Sequence, residues 1–144
     1  MKLETKDLLT VDEISSKEFL GLIDFSIKLK KENKIMKGKP LLKNKTLAMM
    51  FEKPSTRTRV SFETGMKQLG GHTIILSLNE MQHSRGESVE DTAKTLSGYV
   101  DVIVARVYEH NFIEKLAKHA TVPVINGLSN SYHPCQTLAD LMTI

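Results

Sequence analysis

The sequence predicts an α/β fold, a four-stranded parallel sheet with helices on both faces, and three observations carry the prediction. Four short segments, Thr46 to Phe51, Thr73 to Leu78, Asp101 to Val107 and Val122 to Ile125, are built on near-continuous apolar runs. Such runs mark strands buried on both faces. Segments with apolar residues at helical spacing separate them, so the order is one helix followed by strand and helix four times. Polar residues collect where each strand hands over to its helix, the edge at which an open parallel sheet holds its ligands.

Taken in order, Ser15 or Ser16 can cap a first helix with Phe19, Leu22, Ile23 and Ile27 on one stripe. Lys28, Lys30, Lys31 and Lys34 suit its negative end, and Gly38-Lys39-Pro40 is expected to stop it. After the first strand, Ser55 to Leu69 reads as a helix with Phe62, Met66 and Leu69 on one stripe, Arg59 able to pair with Glu63, and Gly70-Gly71 as its left-handed end. Ser88-Val89-Glu90-Asp91 opens a third helix as a capping box, with Val89, Ala93, Leu96 and Val100 as its stripe. A fourth helix runs from Asn111 to about His119, and a fifth from Gln136 onward. That last one carries Leu138, Leu141, Met142 and Ile144 to the terminus with no stop signal, the pattern expected of a domain rather than a complete protein.

The bulk numbers narrow the class. A chain of 144 residues, 40% hydrophobic and 26% charged, has room for one core and is expected to be soluble and globular. A net charge of +3, with lysines concentrated between Lys28 and Lys45 and no interleaved aromatics, argues against nucleic acid and for a solvated basic face. The single cysteine excludes an internal disulfide and fits a reducing cytoplasm. The charged N-terminus lacks the apolar core expected of a signal peptide, and no run approaches the roughly 18 apolar residues of a membrane span.

The stretch Phe51 to Arg59 is the densest in chemistry. A helix N-terminus carries free N–H groups and about half a positive charge, and Ser55, Thr56, Arg57 and Thr58 add hydroxyls and a guanidinium. Together they form a site for a doubly charged anion such as phosphate. Arg59 is assigned to Glu63 and Arg57 to the ligand. The second strand leads to Gln82, His83 and Arg85, the third ends in Arg106, and the fourth leads to Asn126-Gly127 and His133-Pro134-Cys135-Gln136. Arg106 closes an apolar strand, where an uncompensated cation is costly, so it needs an anion. Cys135 is assigned to packing. His72, His83, His110 and His119 show no metal-ligand spacing, and neither a Walker A nor a G-x-G-x-x-G pattern is present. No metal or cofactor is expected.

Pro54-Ser55-Thr56-Arg57-Thr58-Arg59, followed by Ser61-Phe62-Glu63, resembles the carbamoyl-phosphate motif of the aspartate/ornithine carbamoyltransferases. Ala105-Arg106-Val107 and His133-Pro134-Cys135-Gln136 are similar to that family's next two motifs, in the same order, so the resemblance spans essentially the whole chain. Phe51-Glu52-Lys53 and the cysteine of the last motif look like the ornithine branch. Aspartate enzymes more often carry threonine there, and a lysine in the loop that here holds Gln82 and Arg85.

The resemblance implies roles. Ser55, Thr56, Arg57 and Thr58 would hold the phosphate, with Thr58 also reaching the carbamoyl oxygen. Arg106 and His133 would polarise the carbonyl, Gln136 would hold the carbamoyl amine, and Gln82 would reach a neighbouring subunit's site in a homotrimer. The implied reaction is attack of the δ-amine of L-ornithine on the carbamoyl carbon, releasing citrulline and phosphate. Putrescine or aspartate as acceptor, or a non-catalytic phosphate-binding or assembly module, are the alternatives. The family's second, amino-acid-binding domain has no counterpart in this sequence. The chain is therefore expected to be the carbamoyl-phosphate-binding domain over residues 1–144, with little turnover alone.

Overall fold

The computed structural model describes residues 3–34, 39–79 and 86–144. Its elements are α1 (Ser16–Lys34), β1 (Thr46–Phe51), α2 (Thr56–Gln68), β2 (His72–Ser77), α3 (Val89–Ser97), β3 (Val102–Arg106), α4 (His110–His119), β4 (Val124–Leu128) and α5 (Pro134–Thr143). The strands lie in the order β2-β1-β3-β4, and every neighbouring pair is parallel. The expected helix and four strand–helix units are all present.

The pleat of β1 divides the core in two. Ala48 and Met50 face a cluster with Ala93 of α3 and Ile113 and Leu116 of α4. Leu47 and Met49 face the other side, against Met66 and Phe62 of α2 and Val104 of β3. These four β1 side chains are at most 1% exposed, so the strand is sealed on both faces as its unbroken apolar run requires. Burying each of the larger side chains contributes roughly 1.5–3 kcal/mol.

The caps follow the sequence closely. Ser15 and Glu18 satisfy each other's backbone N–H groups at the start of α1, at 2.9 and 3.3 Å. Ser88 Oγ accepts from Asp91 N at 3.0 Å to open α3. Beyond α2, Gly70 takes φ +84°, and a Cβ there would stand 2.7 Å from the Cβ of Pro40. The expected stop at Gly38 lies outside the described residues.

Four expectations need correction. β2 is shifted back one residue, and as an edge strand it is only half covered, with Ile74 44% exposed. Val100 lies beyond the end of α3, although it is buried. α5 begins at Pro134, because proline is well tolerated at the first helical position. β4 begins two residues later than expected and runs on through Asn126-Gly127 to Leu128. A polar residue and a glycine read as loop, but the Asn126 amide is satisfied inside the protein. Gly127 is packed so that a Cβ would come within 3.0 Å of Val104, beside a register shift between Ala105 and Arg106.

The charged N-terminal segment is also structured. Leu8 bridges β4 in parallel, through Leu8 N to Val124 O and Asn126 N to Leu8 O, both 2.9 Å. Lys6 Nζ donates to the last carbonyls of α4, Ala117 at 3.0 Å and Ala120 at 2.7 Å, as the negative end of a helix favours. Among the described residues, no helix is long and apolar enough to cross a membrane.

Candidate active site

In the order β2-β1-β3-β4 the chain winds outward in one direction from β1 to β2 and in the other from β3 to β4. The loops leaving β1 and β3 therefore part at this junction and leave a crevice at the carboxyl end of the sheet, where open α/β sheets place ligands. The β1–α2 turn carries Ser55 to Thr58, and β3 ends in Arg106. The two meet: Arg106 Nη1 donates to Thr58 Oγ1 at 3.1 Å across 48 residues of sequence.

Ser55 is the N-cap of α2, extended at φ −156° and ψ 113°, and its hydroxyl accepts from Thr58 N at 3.3 Å. Arg59 N is taken by Ser55 O. Thr56 and Arg57 hold the first two helical positions, whose N–H groups have no intrahelical acceptor, and they point the positive end of α2 into the crevice. Arg57 is exposed and has no hydrogen-bond or ion-pair partner among the described residues. Arg59 instead pairs with Glu63 at 3.2 Å, as its i,i+4 spacing implies.

Arg106 is the unusual group. Its Nε is buried without a partner, and no carboxylate among the described residues forms an ion pair with it. Burial lowers its pKa, although an arginine stays protonated. The nearby Glu52 is engaged elsewhere, its Oε2 accepting from Tyr108 N at 2.7 Å. Next to this cation stands His133, the N-cap of α5 at φ −141° and ψ 72°, whose Nδ1 is also buried without a partner. Burial first, and then the charge of Arg106, lower the His133 pKa, with Asp140 partly opposing. At neutral pH the imidazole is uncharged and has an N–H to donate.

The structure thus gathers Ser55, Thr58, Arg106 and His133, with Thr56 and Arg57 at the mouth. Gln136 is on α5 one turn from His133, but its amide turns outward to Asp140 Oδ1 at 2.8 Å. Gln82, His83 and Arg85 lie outside the described residues. Cys135 packs as expected, with burial pushing its thiol up to about 11, where it is no nucleophile. A cleft of 490 Å³ opens on the opposite side of the α2 N-terminus, toward β2, lined by Lys53, Thr56, Arg59, Ser77 and Asn79. Ser55 also lines it, but neither Arg106 nor His133 does, so it lies apart from the contact between Thr58 and Arg106.

Sequence reasoning missed the brace that joins the two loops. Glu52 N donates to Arg106 O, Glu52 Oε2 receives Tyr108 N, and Lys53 Nζ sits 4.0 Å above the Tyr108 ring. Nothing local in the sequence marks a pairing 56 residues apart.

Donors without acceptors define what the crevice can do. A helix terminus, hydroxyls and two guanidiniums can bind a dianion. Thr58, Arg106 and His133 can stabilise an oxygen that gains negative charge.

The model of the aspartate/ornithine carbamoyltransferase carbamoyl-P binding domain matches residues 6–144. An ornithine carbamoyltransferase of Cenarchaeum symbiosum is 61% identical over the whole chain, which covers 47% of that protein. Among solved structures, the ornithine carbamoyltransferase from Pyrococcus furiosus is 52% identical with a TM-score of 0.94, covering all of this chain and 46% of that one. The catalytic subunit of M. jannaschii aspartate transcarbamoylase is 38% identical with a TM-score of 0.88, covering 97% of this chain and 46% of that one. The chain spans about half the length of the relatives it matches. With three ordered motifs meeting in one crevice of the same fold, the chain belongs to the aspartate/ornithine carbamoyltransferase family and corresponds to its carbamoyl-phosphate-binding domain.

Proposed function

We propose that this chain is the carbamoyl-phosphate-binding half of a cytoplasmic ornithine carbamoyltransferase, a step of arginine biosynthesis or of a urea-cycle type. The observation that supports it best is Arg106, a partly buried guanidinium with an orphaned Nε, bound to Thr58 and beside the unpartnered His133. In this reading Ser55, Thr56, Arg57 and Thr58 hold the phosphate. Arg106, His133 and Thr58 draw charge onto the carbamoyl oxygen as the neutral δ-amine of L-ornithine attacks the carbamoyl carbon. One preorganised donor of this type contributes about 2.7–4 kcal/mol to the transition state. The C–O bond to phosphate then breaks, and the departing phosphate accepts the amine proton.

Gln136 would hold the carbamoyl amine after its exposed amide swings off Asp140, an exchange costing about 0.5–1.5 kcal/mol. Gln82 would serve a neighbouring subunit's site in a homotrimer. L-Ornithine would be held by a second domain, without which turnover is low because catalysis needs both reactants in one geometry. Ornithine is favoured over aspartate by identity, 52–61% to the ornithine carbamoyltransferases named above against 38% to the aspartate enzyme.

Calorimetric titration of the chain with carbamoyl phosphate and with inorganic phosphate tests the reading. Tighter binding of carbamoyl phosphate is expected. Equal affinity would leave Thr58, Arg106 and His133 without a carbonyl to act on and would refute it.

A further inference from the structure

The loop between β4 and α5 contains a knot of hydrogen bonds with no part in the site as described above. Asn126 is 0% and Ser129 4% exposed. Asn126 Nδ2 donates to Leu9 O at 2.9 Å and to Tyr132 O at 3.2 Å, while its Oδ1 accepts from Leu128 N at 3.0 Å. Ser129 N donates to Tyr132 O at 3.0 Å, and Ser129 Oγ accepts from Tyr132 N at 3.1 Å. Both backbone polar groups of Tyr132, the residue before His133, are therefore gripped.

The hydroxyl proton of Ser129 has two acceptors in reach, His110 Nδ1 at 2.9 Å and Tyr132 O at 3.4 Å. Tyr132 O already receives two N–H groups at shorter range, which fills its lone pairs. Ser129 Oγ and His110 Nδ1 therefore share one short hydrogen bond, whose direction is set by the His110 tautomer. The His110 ring also lies 4.8 Å from that of Tyr132.

The other contacts of the knot run to the segment just after Arg106. Val107 N donates to Leu128 O at 3.0 Å, Asn130 N to Tyr108 O at 2.8 Å, and His110 N to Asn130 Oδ1 at 3.3 Å. The network is buried at Asn126 and Ser129 and reaches the surface at Tyr108 and Asn130, and satisfied polar groups at a buried centre stiffen what they join. The network joins the two segments that carry Arg106 and His133.

We propose that Ser129 and His110 are positioning residues. They set the peptide before His133 and its separation from Arg106, so that both donors converge on one carbonyl oxygen. The inference rests on the functional reading above and adds to it the cause of that convergence.

The test is titration of the parent chain, Ser129→Ala and His110→Phe with carbamoyl phosphate and with inorganic phosphate, alongside thermal unfolding. Phe keeps a ring against Tyr132 and removes the ring nitrogens, Nδ1 among them, so it decides the matter if Ser129→Ala fails to fold. The expected result is a fall of about ten-fold or more in the preference for carbamoyl phosphate, the scale of a small misplacement of reacting groups. Affinity for inorganic phosphate, held by Ser55 to Arg57, stays unchanged. Variants that keep the parent's preference overturn the proposal, as does an equal loss of both ligands, which would show a purely structural role. A parent with no preference overturns the functional reading itself, and this inference with it.

Discussion

Arg106→Met separates a residue kept for its ligand from one kept for its fold. Methionine retains a straight apolar stem and removes all five N–H donors. On the folding side it loses the bond to Thr58 Oγ1, worth about 1 kcal/mol. It also relieves the buried, unpartnered Nε, a penalty of roughly 1–3 kcal/mol. The low end applies, because the guanidinium is only partly buried and water screens its charge. The two nearly cancel, so stability changes by no more than about 1 kcal/mol, or about 3–4 °C in Tm for a domain of this size. On the binding side a charge-assisted donor worth about 1.5–3 kcal/mol is gone, which weakens carbamoyl phosphate by about ten- to a hundred-fold. Unfolding followed by circular dichroism and titration calorimetry read the two quantities on one sample. A Tm lowered by several degrees with binding intact would show that Arg106 is a structural anchor and would refute the reasoning.

Two further outcomes follow from the same site. Arg57→Ala should remove most anion binding, for phosphate and carbamoyl phosphate alike, and leave Tm within about 1–2 °C of the parent, since an exposed side chain without partners contributes little to stability; parent-like affinity would place the phosphate elsewhere. His133 has its folded pKa below the unfolded value of about 6.5, so below that pH the unfolded chain takes up a proton that the folded chain resists. The stability cost is absent above pH 7 and grows as pH falls through 6.5. His133→Asn should therefore lose less Tm than the parent between pH 7.5 and 5.5, and parallel curves for the two proteins would contradict the assignment.

What was legible in the sequence was whatever a short window encodes. β1 has the predicted ends because an unbroken apolar run bounded by polar residues admits one register of burial. The ends of α2 were visible in Ser55 and Gly70, and Arg106 as a cation in an apolar strand. Long-range contacts were not legible. Asn126 looked like loop because its partners, Leu9 and Tyr132, are brought to it by the fold. Nothing near Lys6 in the sequence marks its partner, the end of a helix 111 residues away. Glu52 and Tyr108 meet only because β1 and β3 are neighbours. Gln136 carried a local signal that was passed over, since Asp140 four residues on competes for its amide.

The small bridge at Leu8 has a consequence for how the sheet meets other chains. A strand edge with free N–H and C=O groups is a template for strand addition. On β4 the outward N–H groups of residues 124, 126 and 128 are each taken by a different device: the Asp7 carboxylate, the Leu8 carbonyl and the Asn126 side chain. That border is sealed to a foreign strand. The border at β2, with Ile74 exposed, is not closed in this way among the described residues. The sheet is therefore one-sided toward intruders, and any growth by strand pairing has to begin at β2.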